Sequence, residues 1–201
     1  MNDDPIFRAL LISVFVLVLP IGIYHRVRSQ RTREKLDRRQ EGAFILATLR
    51  PLGFACWIAA ILWMINPEWM AWSSMPLSAK ARSGGVGLLI AGCALMVWTF
   101  RSLGTNLTDT VVTRQAHTLV SHGPYRWIRH PLYDASLLLT SGVGLAAANW
   151  FIFTTGLVVF GIIVLRTNIE ERNLLARFGE DYRSYMERTG RFLPSRLTRR
   201  S

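Results

Sequence analysis

The sequence predicts an all-α integral membrane protein with five transmembrane helices. Half of its 201 residues are apolar, its mean hydropathy is positive at +0.23, and its formal net charge is +11. Soluble domains of this size rarely combine these values. The basic residues lie between apolar stretches of membrane-spanning length rather than on one polar face, which argues against a nucleic-acid-binding protein.

Five apolar stretches have lengths close to the ~20 helical residues that are needed to cross a bilayer core. They cover residues 6–24, 43–65, 84–100, 132–148 and 150–165. The first stretch follows Asp3 and Asp4 instead of a basic segment and has no small-residue cleavage site, so we expect a retained helix rather than a signal peptide. The glycines at the start of the third stretch are typical of close helix packing; they are Gly84, Gly85 and Gly87.

The charge distribution predicts the orientation of the chain. Residues 26–42 contain seven Lys and Arg, residues 101–131 contain four and residues 166–201 contain nine, which places twenty of 24 on one side if all five stretches span. By the positive-inside rule this side is cytoplasmic, with the N-terminus outside and the C-terminus inside.

The last two spans form a tight antiparallel hairpin in this prediction, because only about one residue, Asn149, separates them. Both helices rise ~1.5 Å per residue and contain similar numbers of residues, so they have nearly the same length. The chain therefore returns to the cytoplasmic face near Glu170. His130 and Glu170 can therefore be neighbours in space. Beyond the hairpin, apolar residues at helical spacing predict an amphipathic cytoplasmic helix that is broken near Gly179.

We expect a single membrane domain, with helices one and two in residues 1–83 and a core in residues 84–201. No Cys or His spacing resembles a metal site, and Cys56 and Cys93 lie in apolar stretches, so neither a metal nor a disulfide is expected. The oligomeric state cannot be read from the sequence.

Residues 121–133, SHGPYRWIRHPLY, form the densest polar and aromatic cluster. Pro131 suits the first turn of the fourth helix. Backbone N–H groups there form no hydrogen bond within the helix, so the N–H that proline lacks is not needed. A helix N-terminus carries partial positive charge, and Arg126, Arg129 and His130 surround this one. The place therefore suits an anion such as a carboxylate.

A second cluster, RTNIEER at residues 166–172, lies where the fifth helix leaves the membrane. Glu170 and Glu171 are ~100° apart around the helix, so we expect them to have different roles and one of them to face the site. A carboxylate here can accept hydrogen bonds from hydroxyl or amino groups, or can hold Arg129 or His130 in place. The alternative is an ordinary interfacial ion pair with Arg166 or Arg172.

Three phrases together resemble a known family. They are GPYRWIRHPLY, IEERNLLARFGEDYRSYMERTGRFLP and the upstream RSLGTNLTDTVVTRQAHTLV. The chain resembles the isoprenylcysteine carboxyl methyltransferase family and its relatives among phospholipid methyltransferases, over about residues 98–194. Asp134 and Ala135 depart from the family pattern, in which a small residue or Leu is followed by Gly.

The resemblance implies a membrane-embedded methyltransferase that binds S-adenosylmethionine beside the RHP turn, while a lipophilic acceptor enters from the bilayer. Matched position by position, it implies cofactor contacts from Tyr125, His130, Pro131, Tyr133 and Glu170. It implies catalytic roles for Arg129, His130 and Glu171. A prenylcysteine-like carboxylate is the favoured acceptor and needs no strong base, whereas a phospholipid amine or a thiol would lose a proton to His130 or a Glu.

Two further polar residues are candidates for acceptor binding. Arg50 lies inside the second apolar stretch, where an ionisable group is costly, so it either lines the acceptor cavity or extends to the membrane surface. Asn106 lies in a cytoplasmic loop that must be polar in any case. Two other functions stay open: an NADPH-dependent reductase of the sterol-reductase type, and a non-enzymatic scaffold that binds anionic lipid through residues 26–39.

Overall fold

The computed structural model describes residues 4–30, 43–104 and 118–195. These residues form six α-helices and two short 3-10 helices, and they contain no β-strand. The α-helices are α1 Asp4–Gln30, α2 Ala43–Ile65, α3 Ala79–Leu103, α4 Pro131–Ala146, α5 Trp150–Phe178 and α6 Glu180–Arg188. The 3-10 helices are Pro67–Ser73, between α2 and α3, and Gly123–Arg126, before α4.

Four helices are long and apolar enough to cross a bilayer, judged by length and composition. These segments are Pro5–His25, Ala47–Ile65, Ala79–Leu103 and Trp150–Phe178. α4 has 16 residues, about 24 Å of helix, which is shorter than a ~30 Å hydrocarbon core. The fifth crossing therefore stays a prediction. Large apolar side chains such as Leu17 (70 % exposed) and Phe54 (67 % exposed) cover the outside of the bundle, as lipid contact requires.

α3 is longer than the sequence predicted. It begins at Ala79 rather than at residue 84, because Ser78 caps it by accepting a hydrogen bond from the backbone N–H of Ala81 at 3.3 Å. The expected division between residues 83 and 84 falls within this helix.

α3 and α4 approach each other almost backbone to backbone. A Cβ atom on Gly142 of α4 would lie 2.5 Å from the backbone N of Leu89, and one on Gly85 of α3 would lie 2.6 Å from the backbone N of Ala146. Only glycine fits at such distances, as in other close membrane-helix pairs. The predicted packing role is confirmed for Gly85, but it is wrong for Gly84 and Gly87, which have open space beside them.

α4 and α5 form the predicted tight hairpin through residues 147–149. Asn149 caps α5 by accepting a hydrogen bond from the Ile152 N–H at 3.0 Å, and its amide donates to Ser73 Oγ at 2.7 Å. Along the hairpin a Cβ on Gly144 would be 2.6 Å from Phe153 Cα. α4 ends two residues before the predicted end at 148, because Asn149 must leave helical geometry to cap the next helix.

Two arginines hold the bundle together at the end where the α4–α5 hairpin lies. Arg8 of α1 donates to the carbonyl oxygens of Met64 and Ile65 at the C-terminus of α2. Arg82 of α3 is buried, donates to Ala146 O at the end of α4 at 2.9 Å, and stacks over the Phe7 ring at 4.2 Å. Cations at helix C-termini are stabilised by the carbonyl groups left without helical partners. Arg82 therefore joins α1, α3 and α4.

Substituting Arg82 by Met is expected to destabilise the fold by about 2–3 kcal/mol, because the Ala146 carbonyl loses a charged hydrogen-bond donor in a buried place. Thermal unfolding in detergent measures the effect. Lys80→Met is the matched control, since Lys80 is exposed on the same turn of α3. Equal melting temperatures for the two variants would contradict the role assigned to Arg82.

The end of the chain differs from the predicted pattern. α5 runs 29 residues to Phe178, so Leu174 and Leu175 belong to it and not to a separate helix. At ~1.5 Å per residue this helix is about 43 Å long, which exceeds a ~30 Å core, and its apolar part ends at Leu165. The break occurs at Gly179, whose φ of +53° favours glycine, and α6 follows with Tyr182 and Tyr185 buried.

Candidate active site

The turn that precedes α4 is held in place by backbone pairing with residues 190–191. Arg129 N–H donates to Gly190 O at 2.9 Å and His130 N–H donates to Arg191 O at 3.1 Å, while Gly190 N–H donates back to Trp127 O at 3.1 Å. Pro131 is buried at the first position of α4, as predicted. The RHP turn and the RFLP phrase thus form one local structure.

Glu171 is the centre of the polar cluster. Its carboxylate accepts a hydrogen bond from Arg129 Nε at 2.8 Å, lies 3.2 Å from His130 Nε2 and pairs with Arg191. Only 6 % of the Glu171 side chain is exposed. Glu171 lies in the polar C-terminal part of α5, after the apolar stretch that ends at Leu165.

The ionisation of Glu171 follows from these contacts. Burial alone would raise its pKa, but hydrogen bonds from His130, Arg191 and Arg129 outweigh burial and lower the pKa from 4.5 to about 2. The carboxylate is therefore ionised at neutral pH, and its partners are Arg129, His130 and Arg191. Such a group holds other side chains in position and is a poor proton acceptor.

Arg129 has a second set of contacts on the C-terminal segment. Its Nη1 donates to Met186 O at 3.2 Å and to Thr189 O. The guanidinium therefore connects the RHP turn, α5 and α6, and 10 % of its side chain is exposed.

Glu170 contacts the other face of the turn. It accepts a hydrogen bond from Tyr133 Oη at 2.7 Å and lies 3.9 Å from His130 Nδ1. The His130 and Tyr133 rings are nearly parallel, with an interplanar angle of 7° and centroids 5.4 Å apart. The predicted proximity of His130 and Glu170 is present. Glu170 is 24 % exposed, so it can reach a bound molecule that Glu171 cannot.

Tyr125 lies at the edge of this cluster, in the 3-10 helix Gly123–Arg126. Burial raises its pKa well above 10, and the charge of Glu170 raises it further. Its carbonyl oxygen accepts a hydrogen bond from Tyr185 Oη at 2.7 Å, which connects the 3-10 helix to α6.

The two predicted acceptor-binding residues do not join the cluster. Arg50 is exposed on α2, and within the described ranges no hydrogen bond or ion pair links it to the residues above. Asn106 lies outside the described residues. Their roles stay predictions.

Sequence reasoning missed three residues near the cluster. Arg191 pairs with Glu171 and donates to Asn168 Oδ1 at 3.0 Å. Arg166 is buried at 8 % exposure, and it acts electrostatically on the Tyr133 hydroxyl. Tyr182 of α6 is 2 % exposed, and the charges of Glu171 and Arg129 act electrostatically on its hydroxyl. Two signals in the sequence could have indicated two of these residues. Arg191 is the first residue of the RFLP phrase, and Arg166 precedes Glu170 by four residues, the spacing of neighbours on one helix face.

Comparison with known proteins identifies the family. Residues 81–181 match the phospholipid methyltransferase family, which is half of the chain. The chain belongs to the phospholipid methyltransferase family. The predicted resemblance to isoprenylcysteine carboxyl methyltransferases is also confirmed by curated relatives and by a solved structure.

The curated relatives include two kinds of enzyme. The protein-S-isoprenylcysteine O-methyltransferase of Rattus norvegicus is 29 % identical over 126 residues, which is 61 % of this chain and 44 % of that protein. The methanethiol S-methyltransferase of Mycobacterium tuberculosis is 33 % identical over 85 residues, 42 % of this chain and 32 % of that protein. The chain thus spans less than half the length of these two relatives.

The fold matches a solved intramembrane protein. The structure of the eukaryotic Ras methyltransferase ICMT, isoprenylcysteine carboxyl methyltransferase, superposes with a TM-score of 0.57 at 20 % identity, covering 92 % of this chain and 67 % of that one. Together with the four apolar helices, this likeness makes the chain a multi-pass integral membrane protein.

Proposed function

We propose that the protein transfers a methyl group from S-adenosylmethionine to a lipophilic acceptor, with a prenylcysteine-like carboxylate favoured. The observation that carries the proposal is the convergence of His130, Glu170 and Glu171 where α4 begins and the apolar part of α5 has ended. Membership of the phospholipid methyltransferase family supports it.

The residues present suit the proposed cofactor. An open cavity of about 550 Å³ is lined by Arg129, Arg191 and Phe192, and its volume is within the usual ~300–1,000 Å³ of small-molecule sites. The residues that we assign to the cofactor below do not line this cavity, so it could hold only a part of the molecule that extends past Arg129. Glu170 is exposed enough to accept hydrogen bonds from ribose hydroxyls or an ammonium group. When bound, S-adenosylmethionine would supply an electrophilic methyl group. Glu170, Tyr133, Tyr125, Pro131 and His130 are the residues that we propose to surround it.

The role of the chain in this reaction is to position groups and to exclude water. Methyl transfer from a sulfonium is an in-line displacement, in which charge is neutralised as a carboxylate attacks. Glu171 would fix Arg129 and His130, and would take no proton because its pKa is about 2. Arg166, buried four residues before Glu170 on α5, would favour an anionic acceptor that arrives from the bilayer side.

The proposed topology is five crossings, with the N-terminus outside and both the C-terminus and the site on the cytoplasmic side. It rests on the twenty basic residues on one side and on the positive-inside rule. The cofactor would then meet the site from the cytoplasm and the acceptor from the membrane.

A thiol is the second candidate acceptor, because one matched relative is a methanethiol S-methyltransferase. A thiol or an amine must lose a proton, for which His130 is the available group beside the cluster. A carboxylate needs no such step.

Incubation of the purified protein with labelled S-adenosylmethionine and a panel of prenylcysteines, aminophospholipids and small thiols tests the proposal. We expect label on the prenylcysteine as a methyl ester, which releases methanol on mild alkaline treatment, unlike a methylated amine or thioether. Label on a thiol alone would select the second candidate. No transfer, with stabilisation by NADPH instead, would favour the reductase, and salt-sensitive vesicle binding with no cofactor response would favour the lipid-binding scaffold.

A further inference from the structure

Arg50 of α2 is an exposed cation on the apolar outer surface of the bundle. It lies in the membrane-spanning segment Ala47–Ile65, and the exposed residues that follow it on α2 include Phe54 and Trp57. Within the ranges that the structure describes, Arg50 has no hydrogen bond or ion pair. A charged side chain that faces lipid is costly without a partner, so this position requires an anion.

Contacts between α2 and α5 give the depth of Arg50. The two helices are antiparallel, because the hairpin at the start of α5 packs on the segment that follows α2. Cys56 Sγ lies 3.7 Å from Ile152 O. Arg50 precedes Cys56 by six residues, about 9 Å of helix, and the exposed Leu165 follows Ile152 by thirteen residues, about 20 Å. The apolar surface of α5 therefore continues about 10 Å beyond the level of Arg50.

α1 and α2 contact each other through side chains in the half of the bundle near the hairpin. Arg8 Nε donates to Met64 O at 2.6 Å, and the Phe15 ring packs edge-on against Trp57 with centroids 5.5 Å apart. The two contacts are seven residues apart on each helix, which is about two turns. The helices therefore run antiparallel with matching positions every seven residues.

A further step of seven residues along both helices brings Gly22 level with Arg50. Gly22 has no side chain, and among the described residues a Cβ atom added there would approach only Phe100 of α3, at 3.9 Å. The His25 ring packs on the same phenylalanine with centroids 5.7 Å apart, so α3 lies behind α1 here. The third position therefore has a recess, bounded by Gly22, Arg50 and Phe100, where the two earlier positions have a contact.

We propose that this recess binds one membrane phospholipid, with its phosphate at Arg50 and an acyl chain along Phe54 and Trp57. A guanidinium group matches the geometry of phosphate oxygens. Helical geometry directs the Arg50 side chain toward the N-terminus of α2, away from the hairpin and toward the nearer membrane surface. No carboxylate of α1 or α2 competes, because residues 5–30 and 43–65 contain no Asp or Glu. This inference goes beyond the proposed function and does not depend on it.

Thermal unfolding of the full chain in detergent, with added lipid, tests the proposal. The probe is dioleoylphosphatidylglycerol, and the matched lipid is dioleoylglycerol, which has the same acyl chains and no phosphate. We expect only the phospholipid to raise the melting temperature, because it binds the folded state. Arg50→Met should weaken its binding about tenfold, the loss typical of one hydrogen bond to a charged group. Arg101→Met, which removes an exposed arginine from α3, should keep wild-type binding.

Gly22→Leu is a second variant, which fills the recess and leaves Arg50 in place. Because open space lies beside Gly22, it should melt at the wild-type temperature or above it without added lipid, and should lose the response to the phospholipid. A response of wild-type size in Arg50→Met or in Gly22→Leu would overturn the inference. An equal response of the wild-type protein to dioleoylglycerol or to inorganic phosphate would overturn it as well.

The same variants separate this role from the acceptor-binding role that the sequence predicted for Arg50. Lipid binding is measured without any methyl acceptor, so a phospholipid site must show its effect there. Weaker acceptor binding by Arg50→Met together with an unchanged response to dioleoylphosphatidylglycerol would assign Arg50 to the acceptor and overturn the inference.

Discussion

Glu171→Gln is expected to abolish methyl transfer and to destabilise the protein by about 3–5 kcal/mol, the usual loss when one member of a buried charge cluster is removed. The variant keeps the size of the side chain but leaves Arg129, which is 10 % exposed, without its counter-charge. The transfer assay and thermal unfolding in detergent measure the two effects.

Glu170→Gln is the matched control, because the adjacent carboxylate has the same chemistry but is more exposed. Tyr133 can still donate to the amide oxygen of the new side chain, so the melting temperature should change little while S-adenosylhomocysteine affinity falls. If Glu171→Gln unfolded at the wild-type temperature, Glu171 would not be the centre of the cluster.

Acid provides an independent check on the same residue. Because the pKa of Glu171 is lowered from 4.5 to about 2, its contribution to stability is fully present above about pH 4.5 and is lost as the pH falls toward 2. The difference in melting temperature between the wild-type protein and Glu171→Gln should therefore shrink between pH 5 and pH 3. A constant difference would mean that the charge of Glu171 does not stabilise the fold.

Gly142→Leu is expected to prevent folding of the bundle. A Cβ atom at this position would lie 2.5 Å from Leu89 N and 2.8 Å from Leu89 Cα, and backbone atoms of a packed helix cannot move aside as a flexible side chain can. Loss of the monodisperse peak in detergent chromatography, or of a cooperative melting transition, measures the effect.

Gly87→Leu is the control, because α3 leaves open space beside Gly87. This variant should fold and melt close to the wild-type temperature or above it, since glycine is a poor helix former. Wild-type melting of Gly142→Leu would show that α3 and α4 can separate without cost.

The convergence of the RHP turn and the glutamates could be predicted because it depends on local signals. Pro131 marks the start of α4, Asn149 marks the hairpin, and two apolar stretches of similar length bring Glu170 back to His130 at a fixed rise per residue. The extension of α5 to Phe178 does not change the position of Glu170 relative to His130, because residues 171–178 follow Glu170.

Other parts of the site depend on long-range contacts and could not be predicted. Nothing in the local pattern indicates that residues 190–191 pair with the backbone of Arg129 and His130. Tyr182 and Tyr185 look equivalent on one face of a helix, and only the tertiary structure shows that a carbonyl oxygen lies beside one hydroxyl and not the other. The same holds for Arg82, whose partners lie on α1 and α4.

The glycine contacts of α4 restrict the path by which a lipid-like molecule could reach His130. On one side Gly142 closes α4 against α3, and on the other Gly144 closes it against Phe153 of α5. A hydrocarbon tail needs several ångströms of free width, so neither seam can admit one at the depth of these glycines. A lipid-like molecule that entered beside α4 would therefore have to do so nearer the first turn of this helix, on the His130 side of these glycines.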